Sequence, residues 1–428
     1  MKFKVFTFLI LGIVFLLNTA HAQRRGRRQN TNDTITSNYQ PRELFSPMFY
    51  TDRGNEFHSA NGEPGPKYWK QKVDYLLKAN IDTAAKVLSG SENITYTNNS
   101  PDALSYLWLQ MDQNTYQPEA RSNFYTGGGP AAQHTNGYQL ESVQLSIGGK
   151  LQKAIYVVTD TRMQIRLPKD LAPHGGRINI LIKYHYAIPG NFGGRTDYFQ
   201  TRNGKIYEIA QWFPRMCVYD DSRGWDTLPF LGSGEFYCEY GDIDYSVTVP
   251  ANMIVAGSGE LVNPAEVLTP AQIKRLTQAR NSDRTIMIRT AAEAGDHSSR
   301  QSGRATQTWH FKMFNTRDVA FGTSSAYIWD AARINLPGGQ RSLSMSVYPV
   351  ESDWGRSTEF LKGAIEYFSQ KWFVYPYPVA INEAGIAGGM EYPGILFDGL
   401  RSRGKDLFSL IAQEIGHNWF PMIVGSDE

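Results

Sequence analysis

The stretch LFSLIAQEIGHNWF, residues 407–420, determines the fold of the C-terminal part of the chain. Its apolar residues recur at helical spacing and predict a helix that is buried along one side: Leu407, Leu410, Ile411 and Ile415. Residues four apart on a helix are neighbours, so the side chains of Gln413 and His417 can contact one ion. Glu414 is rotated by roughly 100° from Gln413, close enough to reach a water bound to that ion.

The spacing of Glu414 and His417 matches part of the H-E-x-x-H pattern. In that pattern two histidines on one helix face bind zinc, and the glutamate acts as general base. Gln413 stands at the position of the first histidine. A core helix with a hydrogen-bonded histidine is the alternative interpretation of this stretch.

A second segment, AGGMEYPG at residues 387–394, precedes Glu414 by about two dozen residues. Gly388 and Gly389 lack side chains, so the backbone there can approach a bound peptide closely. Glu391 can pair with a cationic amine. The alternative is a glycine turn with a surface glutamate.

Together the two segments resemble the gluzincin zinc aminopeptidases, the family of membrane alanyl aminopeptidase and leukotriene-A hydrolase. In that family a G-x-M-E-N motif precedes H-E-x-x-H, and here Tyr392 replaces the asparagine. The resemblance runs from about residue 65 to the end. It implies that Gly388, Gly389 and Met390 lie along a peptide substrate and that Glu391 holds its free α-amino group.

The resemblance also implies a catalytic zinc ion. Glu414 would be the general base, His417 one metal ligand, and Gln413 the position of another. An amide oxygen is a poorer zinc donor than imidazole. The family's third ligand is a glutamate about nineteen residues beyond the second histidine, near a position 436 that the sequence does not contain. We therefore expect zinc to bind weakly or not at all and the chain as given to be inactive.

A third match is EIAQWFPR, residues 208–215. In the family an acidic or amide side chain from the N-terminal domain helps to bind the substrate's amino terminus, and Gln211 is the candidate for that role. A strand residue at the edge of the core is an equally good interpretation of Gln211.

Three functions are compatible with these motifs. The first is an exported zinc metalloaminopeptidase that removes N-terminal residues from peptides, represented by an N-terminal fragment in which Gln413 is a variant or an error. The second is an inactive peptide-binding relative, which Gln413 favours. The third is an exported β-sheet scaffold with accidental motifs, and a histidine at position 413 in near-identical sequences would exclude it.

The N-terminus predicts export. Residues 1–22 carry Lys2 and Lys4, an apolar run and the sequence Ala20-His21-Ala22, which is the pattern of a cleaved secretory signal. The run is short for a membrane-spanning anchor, the alternative. We therefore expect a periplasmic or extracellular protein with no transmembrane span after cleavage.

Composition describes a large, nearly neutral globular chain. It has 428 residues, 41% of them hydrophobic, and a formal net charge of +2. This balance gives no support for nucleic-acid binding. Cys217 and Cys238 are the two cysteines; a disulfide between neighbouring strands and two buried thiols are both compatible with their spacing.

The middle of the chain predicts strands, because apolar residues alternate with polar ones. The alternating sets are Leu104, Tyr106 and Trp108; Ile178, Ile180, Ile182, Tyr184 and Tyr186; and Ile243, Tyr245, Val247 and Val249. Thr269–Gln272 predicts a helix start with a capping box, residues 291–306 predict a mobile loop, and residues 337–339 predict a turn.

The predicted fold class is a multidomain β plus α/β protein. A basic and polar linker, residues 23–50, follows the signal. A large antiparallel β-sheet N-terminal domain spans residues 51–338, and the start of a thermolysin-like α/β catalytic domain spans residues 339–428.

Overall fold

A computed structural model describes residues 54–59, 63–125, 134–190, 194–296, 299–300 and 303–426. The predicted signal at residues 1–22 and the linker at 23–50 lie outside the described residues. The chain divides into two units, residues 1–68 and 69–428. In the described part of the first unit, His58 and Pro64 form an antiparallel bridge.

The second unit consists mainly of β-strands. The first twelve are β1 Lys72–Asp82, β2 Val87–Asn98, β3 Leu104–Gln110, β4 Gln139–Ile147, β5 Lys150–Lys153, β6 Ile155–Thr159, β7 Arg162–Leu171, β8 Gly176–Ala187, β9 Thr196–Thr201, β10 Gly204–Ile209, β11 Arg215–Met216 and β12 Tyr219–Asp220. The others are β13 Gly224–Trp225, β14 Gly241–Pro250, β15 Ile254–Gly257, β16 Glu260–Leu261, β17 Ile286–Arg289, β18 Thr306–Thr316, β19 Phe321–Ser324, β20 Ile328–Asn335, β21 Arg341–Tyr348, β22 Val379–Gly385, β23 Glu391–Tyr392 and β24 Ile395–Gly399.

Helices are few among the described residues. The α-helices are α1 Ser122–Tyr125, α2 Pro264–Val267, α3 Pro270–Ala279, α4 Ala291–Ala294, α5 Ser357–Lys371 and α6 Gly404–Gly416, and Asp112–Tyr116 and Pro337–Gly339 are 3₁₀ turns. No helix in the described ranges is long and apolar enough to cross a membrane.

The largest sheet has eight strands in the order β16-β18-β14-β1-β2-β8-β4-β5. Its pairs are antiparallel except for β1 and β14, which run parallel. Two four-stranded sheets, β15-β19-β10-β9 and β11-β3-β7-β6, and the two-stranded β12-β13 complete this β-rich part. Alternate residues of the long strands face a common apolar core, which explains the alternating sequence pattern.

A six-stranded mixed sheet, β17-β20-β21-β22-β24-β23, forms the α/β part of the chain. β21, β22 and β24 are parallel neighbours, and α5 connects β21 to β22 as a crossover helix. The predicted fold class, a β-rich part followed by an α/β part, is confirmed. The predicted boundary at residue 338 falls in the hairpin that joins β20 to β21, inside this sheet.

The strand predictions for β8 and β14 are confirmed, since the alternating residues named in the sequence for each strand are all buried. In β3 the strand is present but the buried face is different. A bulge between Leu104 and Tyr106 shifts the alternation, so that Leu107 and Leu109 are buried while Tyr106 is exposed.

The helix predicted after Thr269 is α3, and both hydrogen bonds of its capping box are formed. The segment predicted to be a loop from residue 291 begins instead with α4. Thr290 caps this helix with a second capping box, completed by the Glu293 side chain. The sequence pattern missed α4 because four residues are too few to show a helical period.

Candidate functional site

Helix α6 carries three of the predicted site residues toward one cleft. Leu407, Ile411 and Ile415 are buried against the core and fix the rotation of the helix. Glu414 is buried, Gln413 is exposed at the cleft, and His417 lies at the C-cap of the helix with a half-buried side chain.

Glu391 reaches the same cleft from the β23–β24 hairpin. Asn418, the residue after His417, connects that hairpin to the end of α6. Its Oδ1 accepts a hydrogen bond from the Gly394 amide at 2.9 Å, and its Nδ2 donates to the Tyr392 carbonyl at 3.3 Å. These buried bonds hold Glu391 and His417 in a fixed relation.

Glu391, Glu414 and His417 converge. Their potential ligand atoms all lie within 4.8 Å of one another, and within the ranges described no other three histidine, cysteine or acidic residues meet in this way. The His417 Nδ1 is 3.6 Å from a Glu391 oxygen. The structure thus brings Glu391 next to two residues that lie 23 and 26 positions further along the sequence.

The orientation of the His417 ring leaves its Nε2 available. Nδ1 lies 3.0 Å from the backbone carbonyl oxygen of Phe420. A carbonyl only accepts hydrogen bonds, so in the neutral ring Nδ1 carries the hydrogen and Nε2 has a free lone pair. This is the arrangement in which a histidine binds a metal through Nε2.

The two carboxylates hold their protons unusually strongly. Burial and, to a lesser degree, the nearby Glu391 carboxylate raise the pKa of Glu414 to about 7, while His417 opposes the effect. Burial also raises the pKa of Glu391, and His417 and a hydrogen bond with Glu414 act against that shift. Both groups gain from a cation placed between them.

Gly389 is required for the position of Glu414. A Cβ atom at residue 389 would lie 2.4 Å from Glu414 Oε1 and 2.8 Å from a methyl carbon of Leu410. The backbone at Gly389 therefore lies directly against the Glu414 carboxylate. Gly388 is exposed, with open space where a side chain would be, and Met390 is buried beside the cleft.

The β-rich part of the chain supplies the opposite wall of the cleft. Arg195, Glu235 and Phe236 line it together with Glu391, and the cleft has a volume of about 640 Å³. Nε and an Nη atom of Arg195 each lie 2.8 Å from Glu235 Oε1. Phe236 packs edge-on against Tyr392, with ring centroids 5.6 Å apart.

The sequence motifs did not point to Arg195 or Glu235. Glu235 is buried, and its pKa is raised by burial and by Glu391 while Arg195 lowers it. The acidic residue from the β-rich part that faces Glu391 is therefore Glu235. The sequence signal that could have found it is a charged residue among the glycines and aromatics of GSGEFY, residues 232–237.

Gln211 lies just past the end of β10 and is not among the residues that line this cleft. It is buried, with a positive φ of 49°, and its backbone carbonyl accepts hydrogen bonds from Gln113 and Tyr138. Its side-chain Nε2 is buried and has no hydrogen-bond partner among the described residues. The role of Gln211 in substrate binding stays a prediction.

The side chains present fit a zinc ion only in part. His417 offers a free Nε2 on a ring that is held by a backbone carbonyl, which suits the metal. Gln413, four residues earlier, offers a neutral amide oxygen where a second imidazole would complete the helix pair. Glu414 shares a hydrogen bond with Glu391 that raises the pKa of Glu414, so its carboxyl group must lose a proton before it can bind the ion.

Comparison with known structures gives several similar proteins, which are M1 zinc metallopeptidases. One, from Deinococcus radiodurans, is 16% identical with a TM-score of 0.49, over 83% of this chain and 65% of that one. A mutant enzyme from the same organism, bound to a Tyr-Ser-Ala substrate, is 15% identical with a TM-score of 0.48, over 85% of this chain and 67% of that one. A two-domain mutant M1 enzyme bound to L-tryptophan has the same identity and TM-score, over 85% of this chain and 68% of that one.

The chain thus spans about two thirds of the length of these structures, and 65% of the first. No protein-family model and no curated protein matches the sequence.

Proposed function

We propose that the chain is an exported protein of the zinc aminopeptidase type, whose cleft binds the free amino terminus of peptides and whose metal site is weakened by Gln413. The observation that carries the proposal is the convergence of Glu391, Glu414 and His417 in an open cleft. The motif resemblance supplies the reaction class, and the geometry supplies the binding groups.

A cationic ligand follows from the charges in the cleft. Glu235 already has a partner in Arg195, so Glu391 is the carboxylate that can neutralise an incoming ammonium group. A partly buried carboxylate pairs strongly with an ammonium, because little water remains to screen the charges. A peptide anchored there by its amino terminus would place its first peptide bond near Glu414.

The role of Glu414 follows from its protonation. A carboxyl with a pKa of about 7 both accepts and releases a proton near neutral pH, as a general base in hydrolysis must. A zinc ion, when bound in such a site, polarises a carbonyl group and acidifies a water molecule. His417 would hold the ion through Nε2.

Gln413 is the reason to expect weak metal binding. If a structural zinc site with four ligands is worth roughly 10–16 kcal/mol, each ligand represents on the order of 3 kcal/mol, or more than a hundredfold in affinity. The same observation favours a second candidate function, a peptide-binding protein without turnover. Both candidates require Glu391 to bind the amino terminus.

Binding of matched peptides by isothermal titration calorimetry tests the shared requirement. The ligands are a tripeptide with a free amino terminus and the same tripeptide acetylated at that end. We expect the free peptide to bind at least tenfold more tightly, and Glu391→Gln to remove the difference, because an amide cannot neutralise the ammonium. Glu359→Gln, an exposed residue of α5, is the control. Equal binding of the two peptides by the native protein would refute the proposal.

Export is supported by the N-terminal sequence alone, with its basic start, apolar run and Ala20-His21-Ala22. We expect the protein recovered outside the cytoplasm to begin at Gln23. Intact-mass measurement of the secreted or periplasmic protein checks this, and a mature protein that still begins at Met1 would contradict it.

A further inference from the structure

Cys217 and Cys238 lie opposite each other on adjacent segments of backbone. They are the only two cysteines in the sequence, 21 positions apart, and they form an antiparallel bridge as direct partners. Cys217 extends β11, and its amide donates to the Trp108 carbonyl of β3 at 3.0 Å. Cys238 follows the segment that supplies Glu235 and Phe236 to the cleft.

The type of bridge sets the separation of the two residues. In an antiparallel hydrogen-bonded pair, the partners exchange both of their N–H···O bonds. Here the Cys238 amide donates to the Phe236 carbonyl and the Cys217 amide to Trp108, so neither donates to the other. Cys217 and Cys238 are therefore a non-hydrogen-bonded antiparallel pair, and the Cα atoms of such a pair lie about 4.5 Å apart. That value lies within the range of about 4.4–6.8 Å that a disulfide spans.

The side chains of both cysteines lie in the protein interior. They are buried, and the electrostatic influence of Cys238 reaches the Cys217 thiol. Cys238 Sγ lies 3.7 Å from the backbone carbonyl oxygen of Glu235, to which it donates a weak hydrogen bond. Because the chain has no third cysteine, neither residue has another partner within one molecule.

We propose that Cys217 and Cys238 are a modification site, and that they form an intramolecular disulfide when the protein folds in the presence of a small-molecule or protein disulfide. The bond links the end of β11 to the segment that carries Glu235 and Phe236 to the cleft. It replaces the weak hydrogen bond from Cys238 to Glu235 with a covalent restraint. The inference rests on the backbone pairing and does not depend on the proposed function.

The chemistry is thiol–disulfide exchange. One cysteine thiolate attacks the disulfide RSSR, which forms a mixed disulfide and releases RS⁻. The second thiolate attacks the mixed disulfide, forms the Cys217–Cys238 bond and releases the second RS⁻. The two cysteines lose two protons and two electrons, and RSSR is reduced to two RSH.

Burial determines when this exchange can occur. Burial raises the pKa of the Cys238 thiol to about 12, and it raises that of Cys217 as well. A folded protein with reduced thiols is therefore slow to react, because the thiolate is the nucleophile. The bond should form during folding, when the residues are still accessible.

The test refolds the full chain from denaturant in a buffer of reduced and oxidised glutathione. Free thiols are then alkylated in denaturant, in one sample before reduction and in another after it, and the intact mass of each sample is measured. We expect no alkyl groups before reduction and two after it. The Cys217→Ser and Cys238→Ser variants should each carry one alkyl group before reduction. A native chain that is doubly alkylated before reduction, or that carries glutathione or forms disulfide-linked dimers, would overturn the proposal.

Urea unfolding measures whether the disulfide stabilises the folded protein. Closing a loop of this length with a disulfide should lower the unfolding equilibrium constant by on the order of a hundredfold. We expect reduction to move the unfolding midpoint of the native chain to a lower urea concentration. The midpoint of the double variant Cys217→Ala, Cys238→Ala should not change on reduction. Identical midpoints for the oxidised and reduced native chain would also overturn the proposal.

Discussion

Glu208 provides the sharpest stability prediction. This residue of β10 is fully buried, and burial raises the pKa of its carboxyl group to about 8 from an ordinary value of 4.5. The amides of Ile386 and Ala387 act against the shift, and the Ile386 amide donates to Glu208 Oε2 at 3.1 Å. The other oxygen, Oε1, is buried with no hydrogen-bond partner among the described residues.

The direction of the pH effect follows from these pKa values. The folded protein holds the Glu208 proton up to about pH 8, whereas the unfolded chain releases it near 4.5. Raising the pH therefore favours the unfolded chain across this interval. The loss amounts to less than about 1 kcal/mol at pH 5, about 3 kcal/mol at pH 7 and about 4 kcal/mol at pH 8.

Glu208→Gln removes the titration and keeps the size of the side chain. We expect the variant to be more stable than the native protein by less than about 1 kcal/mol at pH 5 and by about 3 kcal/mol at pH 7. Urea unfolding followed by tryptophan fluorescence measures both free energies. The control is Glu359→Gln, at an exposed residue whose pKa is lowered by Arg356. The small change that this variant makes in the pH dependence of stability should therefore have the opposite sign. A difference between the Glu208 variant and native protein that does not grow from pH 5 to pH 8 would refute the reasoning.

Two further substitutions test the packing around the cleft and the core. Gly389→Ala should displace the Glu414 carboxylate, because the added Cβ would lie 2.4 Å from Oε1. We expect weaker binding of the free tripeptide and a loss of about 1–3 kcal/mol in the free energy of unfolding. An unchanged calorimetric affinity would contradict this prediction. Arg215→Met should lower the free energy of unfolding in urea by roughly 3–5 kcal/mol. The substitution leaves Asp112 and Asp318 buried without the guanidinium group that lies 3.0 and 2.8 Å from them. A loss under 1 kcal/mol would contradict the stabilising role of these buried ion pairs.

The regular strands could be predicted from the sequence. In β8 and β14 every second residue is buried, and the large apolar residues of the predicted pattern occupy those positions. In β3 the residue types did not reveal the buried face, because a bulge changes which residues face the core. Helix α4 was missed for a similar reason, since its capping box is visible in the sequence only when the helix is already suspected.

The two halves of the site differ in how far the sequence revealed them. Glu391, Glu414 and His417 belong to local motifs, so their types and spacing pointed to one place. Arg195 and Glu235 reach that place because the loops that carry them border the same cleft, where Phe236 packs against Tyr392, although they are about 150 or more positions from Glu391 in the sequence. No local pattern encodes such a contact.

Zinc affinity at position 413 is the most direct measurement of the central claim. Competition with a chelating dye gives the zinc dissociation constants of the native protein, Gln413→His, and the double variant Gln413→His, His417→Ala. We predict that Gln413→His binds zinc more than a hundredfold more tightly than the native protein, and that the double variant loses this gain. Equal zinc affinity of the native protein and Gln413→His would contradict the claim that residue 413 faces a metal site weakened by glutamine.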